Sequence, residues 1–229
     1  LDNTSGGSAS IRAGFAGRPS QQAELSMTQQ SPTIEFWFDF SSPYAFFASL
    51  SIEEIAARHR RSVQWRPFML GVLFKATGMT SLTQTPLRGD YAKHDWLRLA
   101  RRAGVVFNPP GSHPATQLPA SRAFYWIESK RPELAVPFAK RVFQSYFSAG
   151  HDTAQPDRVA AIASDLGIAA TAVIEAIALP AAKEEVRART DEALRRGIFG
   201  SPFFVVDGEP FWGHDRLTML DEWLQRGGW

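Results

Sequence analysis

The chain has 229 residues, 44% hydrophobic and 21% charged, with 25 basic and 23 acidic side chains and a formal net charge of +2. That length bounds one full domain or a small domain with an insertion, and the near balance of charge argues against the clustered positive surface of a nucleic-acid-binding protein. It has no cysteine, which excludes disulfides, thiolate metal sites and catalysis by a thiol of its own, and fits a reducing, cytoplasmic setting. An apolar run of about 18 residues is absent, so no membrane-spanning helix is expected. The first 30 residues lack the apolar core of a secretory signal.

Residues 1–32 read as a tag or disordered tail, rich in Ser, Gly, Gln and Ala, with Phe15 their single aromatic and Met27 the expected natural start. Residues 33–40 are aromatic and β-branched almost without interruption, the pattern of a strand buried on both faces. A helix is expected over 43–60, carrying Phe46, Phe47, Leu50, Ile52, Ile55 and Ala56 as its apolar positions, and a second strand over 62–67. Together these make a βαβ unit. From residue 86 to 196 the chain turns helical, with helices expected over 87–103, 115–130, 132–149, 156–166, 170–177 and 181–196. Gly104, Gly150, Gly167 and Gly197 stand just past four of them, where a left-handed residue ends a helix. Strands over 202–206 and 209–212 flank Asp207-Gly208, a type I′ hairpin signal, and a last amphipathic helix covers 215–225.

This order predicts an α/β fold: a thioredoxin-like core (βαβ…ββα) interrupted by a large all-helical insertion. The core comprises 33–85 and 197–229, and the inserted helical domain 86–196. In such a core, the corner between the first strand and first helix carries the reactive Cys-x-x-Cys pair. Here the corner reads Asp39-Phe40-Ser41-Ser42-Pro43-Tyr44-Ala45, with Ser42 and Ala45 at the two cysteine positions.

Ser42-Pro43 has an ordinary reading, an N-cap serine with proline at the first helical position. It also has a functional one. A thiolate held at a helix start is stabilised there, and the Ser42 hydroxyl can donate to it. Gly200-Ser201-Pro202 precedes the hairpin, where this fold keeps a cis-proline whose neighbouring backbone pairs with an extended peptide. Phe211-Trp212-Gly213-His214-Asp215-Arg216 offers backbone N–H groups to a carboxylate and Asp215 to an ammonium. A ligand with a thiol, a peptide backbone, a carboxylate and an α-ammonium fits all three segments; glutathione is that ligand. Lys75, in an expected loop after the second strand, is either a solvent-facing lysine or a partner for an anion. His94, His113 and His151 form no metal pattern, so no metal is assigned.

Four stretches, Phe36-Trp37-Phe38-Asp39-Phe40-Ser41-Ser42-Pro43-Tyr44, Phe74-Lys75-Ala76-Thr77-Gly78, Gly200-Ser201-Pro202 and Phe211 to Leu217, together resemble the 2-hydroxychromene-2-carboxylate isomerases. These are relatives of the kappa-class glutathione transferases and the DsbA oxidoreductases. The resemblance implies a glutathione-dependent enzyme of aromatic catabolism, a homodimer, interconverting 2-hydroxychromene-2-carboxylate and trans-o-hydroxybenzylidenepyruvate. It implies Ser42 as the serine orienting the glutathione sulfur, and Ser201, Pro202, Trp212, Gly213, His214 and Asp215 as further glutathione contacts. Lys75, with Tyr44 and His113, would hold a small aromatic carboxylate. Ser201 and His214 stand where the family often has Val and Asn. Two other readings remain: a kappa-like transferase acting on another unsaturated aromatic, and a cysteine-less binding protein of thioredoxin fold. A disulfide oxidoreductase is excluded by the missing cysteines.

Overall fold

A computed structural model describes residues 33–229; the expected tail over 1–32 lies outside the described residues. A four-stranded mixed sheet runs in the order β2-β1-β3-β4. Strand β1 (Thr33–Phe38) pairs parallel with β2 (Ser62–Pro67) and antiparallel with β3 (Phe203–Val206), which pairs antiparallel with β4 (Glu209–Trp212). The two prolines within strands, Pro67 and Pro210, both sit on edge strands, where a missing N–H breaks no interior ladder. Asp207 (φ 53°) and Gly208 (φ 88°) both take positive φ, as a type I′ hairpin requires.

Strand β1 is central, and its alternation serves two cores. Phe36 and Phe38 face a large aromatic cluster that includes Phe40, Phe46, Trp65, Phe124, Phe143 and Phe147. Trp37 points the other way, into a smaller cluster with Phe68, Leu73, Ala193, Ile198 and Phe203. The helices that cover the sheet follow the expected order, with ends shifted by a few residues: α1 (Pro43–Ser49), α2 (Ile52–Arg58), α3 (Leu70–Thr77), α4 (Arg88–Ala103), α5 (Leu118–Lys130), α6 (Pro132–Phe147), α7 (Pro156–Ser164), α8 (Ala170–Ala178), α9 (Pro180–Arg195) and α10 (Leu217–Arg226). Gly104, Gly150, Gly167 and Gly197 all take positive φ.

Three expectations are corrected. The single helix over 43–60 is two, α1 and α2, broken at Leu50 and Ser51. The Ser49 hydroxyl donates back to the Phe46 carbonyl at 2.6 Å, competing with the helical ladder there. The expected loop around Lys75 is the helix α3. Its start is capped from afar, by Asp39 Oδ2 on the Leu70 N–H (2.9 Å) and Thr190 Oγ1 on the Met69 N–H (3.1 Å), so no local cap marked it. The last helix begins as a 3-10 turn, His214–Arg216, before α10.

Candidate functional site

Ser42 caps α1 in extended backbone (φ −89°, ψ 114°), with Pro43 at the first helical position, so the ordinary reading of Ser42-Pro43 holds. Its Oγ accepts the Ala45 N–H at 3.2 Å. The hydroxyl proton goes elsewhere: Ser42 Oγ donates to the Ser201 carbonyl at 2.7 Å, across 159 residues of sequence. The cap and the opposite loop therefore share one nearly buried hydroxyl.

The Ser201–Pro202 peptide is cis. Ser201 Oγ accepts the Asp39 N–H at 2.8 Å, and the Pro202 carbonyl accepts the Gly213 N–H at 3.1 Å. Thus the structure chains Ser42, Ser201, Pro202 and Gly213 together by hydrogen bonds. Trp212 is half exposed, and its indole lies directly on Gly200, where any Cβ would meet the ring. Gly213 (φ 110°) also leaves the space that Asp215 Oδ1 occupies. The His214 ring packs on Phe47 of α1 at 6.1 Å, and burial, then Arg102, lowers its pKa. The Asp215 carboxylate is exposed and pairs with Arg216 at 3.0 Å, so an incoming ammonium would share it with a guanidinium.

Asp39 has no role in the sequence reading, yet it is the most connected group at this corner. Its Oδ1 accepts the Ser41 N–H (2.8 Å) and the Ser41 hydroxyl (2.7 Å), and its Oδ2 accepts the Leu70 N–H. Burial raises its pKa, opposed by those same donors. An acid in the middle of an aromatic run was the available signal, since a buried carboxylate must find donors.

Tyr44 turns toward the helical block. Its hydroxyl donates to Asp95 Oδ2 at 3.1 Å, and Asp95 also holds Arg98 at 3.0 Å. Burial and the Asp95 charge push the Tyr44 pKa up. Trp96 stands between Tyr44 (6.2 Å) and His113 (5.7 Å), so an aromatic ring separates His113 from Tyr44. Lys75, on α3, is exposed and makes no ion pair among the described residues.

His113 Nδ1 and the Tyr146 hydroxyl are hydrogen-bonded at 3.2 Å, and the same hydroxyl accepts the Ala115 N–H at 3.2 Å. Burial lowers the His113 pKa from 6.5 to about 4. The folded state then binds fewer protons than the unfolded chain between those values, so stability rises with pH across the window. A gain of about 2 kcal/mol from pH 4 to 6.5 is expected after discounting for solvent screening of a half-buried ring. Thermal melts at a series of pH values would show it, and His113→Phe should flatten that slope.

The family model of the DSBA-like thioredoxin domain matches residues 33–225. The 2-hydroxychromene-2-carboxylate isomerase of Sphingobium xenophagum is 27% identical over 194 residues, covering 84% of this chain and 97% of that protein. The human glutathione S-transferase kappa 1 is 26% identical over 204 residues, covering 82% and 88%. A solved structure of a 2-hydroxychromene-2-carboxylate isomerase superposes with a TM-score of 0.77 at 25% identity, covering 85% of this chain and 95% of that one. With the four-stranded mixed sheet, the cis-proline facing the first helix and a match over residues 33–225, the chain belongs to the DSBA-like thioredoxin domain family.

Proposed function

We propose that this chain is a glutathione-dependent isomerase that interconverts 2-hydroxychromene-2-carboxylate and trans-o-hydroxybenzylidenepyruvate. One observation carries the proposal. The hydroxyl of Ser42 occupies the first-cysteine position in a chain with no cysteine, and its proton is already aimed across the crevice at the cis-proline loop. The names of the Sphingobium and human relatives supply the reaction class and the thiol.

The residues fit a thiol-bearing tripeptide. The Ser201 N–H is engaged by no group among the described residues, and Ser201 stands beside β3, so an extended peptide can pair there. Gly213 and His214 lie one hydrogen bond away, and Asp215 supplies the negative charge. Glutathione, when bound, supplies the sulfur nucleophile that the chain lacks. Ser42 orients and stabilises a thiolate by turning its hydroxyl from the Ser201 carbonyl to the sulfur. Tyr44, held by Asp95, walls the corner on the side of the helical block. Its raised pKa keeps it a neutral donor at physiological pH.

The test is spectrophotometric turnover of 2-hydroxychromene-2-carboxylate with and without glutathione. Turnover should depend on glutathione and leave it unconsumed. A stable glutathione conjugate would instead establish the transferase reading, which the 26% identity to the human kappa enzyme favours as the second choice. Turnover undiminished without glutathione would sink both.

A further inference from the structure

A cavity of about 540 Å³ lies at the end of the sheet away from Ser42. Its walls are the run Arg58-His59-Arg60-Arg61, which joins α2 to β2, and Asp221, Leu224 and Gln225 of α10. The Ser42 corner follows Phe38, which pairs with Pro67, whereas the cavity borders Ser62, which pairs with Thr33. The length of β2, about 17 Å, therefore separates the two places.

Three of the four basic side chains are held by acids. Arg58 donates to Glu54 at 3.0 Å and to Asp221 at 2.9 Å, and the His59 ring meets Asp221 at 2.6 Å. Arg61 donates twice to Asp207, at 2.6 and 2.7 Å. Each of these guanidiniums has five N–H donors, so most of its donors remain for a ligand, while the acids fix its position in advance. The Arg60 side chain has no partner among the described residues, so its charge is the surplus of the cluster.

The backbone at Arg60 is strained. It takes φ 55°, and its N–H on the Ala57 carbonyl (3.1 Å), with the Arg61 N–H on the Ala56 carbonyl (2.9 Å), closes the end of α2. The left-handed residue after α3, α4, α6, α7, α9 and α10 is in each case a glycine. A side chain is disfavoured in that conformation. The helix dipole does not ask for Arg60 either, because Arg58 already supplies a cation to the last turn of α2. A strained, unpartnered arginine on a cavity wall points to a ligand.

The lining says which kind. Guanidinium forks match pairs of phosphate oxygens. The volume is far larger than a phosphate and falls in the range of small-ligand sites, roughly 300–1,000 Å³. Leu224 is the one aliphatic side chain of the lining, and apart from the His59 imidazole no aromatic ring faces the cavity. Asp221 and Gln225 can bond hydroxyl groups, whereas a nucleobase would find little to stack on. We propose that this cavity binds a small phosphorylated polyol of the sugar-phosphate class, with its phosphate on Arg60 and the remaining donors of Arg58 and Arg61, and its hydroxyls on Asp221 and Gln225. The inference does not rest on the reaction proposed above.

The test is calorimetric titration of the full chain with glucose 6-phosphate, glucose, orthophosphate and AMP. Wild type should bind glucose 6-phosphate with a Kd below about 1 mM, and each of the other three about tenfold more weakly or less well still. Arg60→Gly separates the ligand from the strain. It should weaken glucose 6-phosphate binding about tenfold and, without ligand, raise the melting temperature by about 2–4 °C, since glycine adopts the left-handed turn freely. Arg60→Ala should weaken binding as much with no such rise, and Arg60→Lys should keep part of the affinity. No binding of glucose 6-phosphate, equal binding of glucose or orthophosphate, or an affinity that survives Arg60→Gly would overturn the assignment. So would tighter binding of AMP, which would mark a nucleotide site instead. A melting temperature lowered by Arg60→Gly would show that the arginine serves the fold and would overturn it as well.

Discussion

Ser42→Ala is expected to raise the pKa of a glutathione thiol bound at the corner by roughly one to two units and to cut glutathione-dependent turnover by about 10- to 100-fold. The reason is one proton. Ser42 Oγ carries the hydroxyl donor of the corner, here donated to the Ser201 carbonyl at 2.7 Å, and a hydrogen bond to a charged acceptor contributes about 1.5–3 kcal/mol. The measurement is unusually clean in this chain. It has no cysteine, so thiolate absorbance titrated with pH belongs entirely to glutathione. Ser42→Thr should retain most of the effect by keeping a hydroxyl. The alanine variant also loses the cap on the Ala45 N–H, about 1 kcal/mol of stability, so assays belong well below its melting temperature. A bound-thiol pKa unchanged in Ser42→Ala would remove Ser42 from the role of donor.

Asp39→Ala should destabilise the fold by about 2–4 kcal/mol, the largest loss expected from any polar substitution at this corner. The carboxylate answers three donors at once: the Ser41 N–H and hydroxyl and the Leu70 N–H. Removing it strands the first turn of α3 and the loop that presents Ser42, in a place with little water to replace it. Asn cannot repair this fully, because one carboxylate oxygen becomes an N–H donor facing another donor. The sign with pH follows from the raised pKa of Asp39. The folded state holds this proton more tightly than the unfolded chain, so the Asp39 contribution to stability falls as pH rises from 3.8 through the folded pKa, then levels off. Urea unfolding of wild type and variant at neutral pH measures the gap; a difference under about 1 kcal/mol would show that solvent reaches these donors.

Much of the molecule was legible in one dimension because its signals are local. The aromatic run of β1, the Asp207-Gly208 turn and the positive-φ glycines after helices act within a few residues. So does the Ser42-Pro43 cap, and the corner was found from it. The misreading of α3 arose because partners far along the chain do the capping. Helix α3 is capped by Asp39 and Thr190, 31 and 121 residues from the groups they bind, so the stretch around Lys75 looked like a loop.

What the amino-acid order determined by itself was a thioredoxin-like α/β core with no sulfur at its reactive corner, and a serine standing in the sulfur's place. Composition settles that, because a missing cysteine is missing in every conformation. What only the tertiary structure decided was the direction of the Ser42 proton, toward a carbonyl 159 residues away, and the placing of Tyr44 and Arg88 around one cavity. Hydrogen-bond direction and cavity walls belong to pairs of groups brought together by folding, and neither member of such a pair carries the other's address in its own sequence.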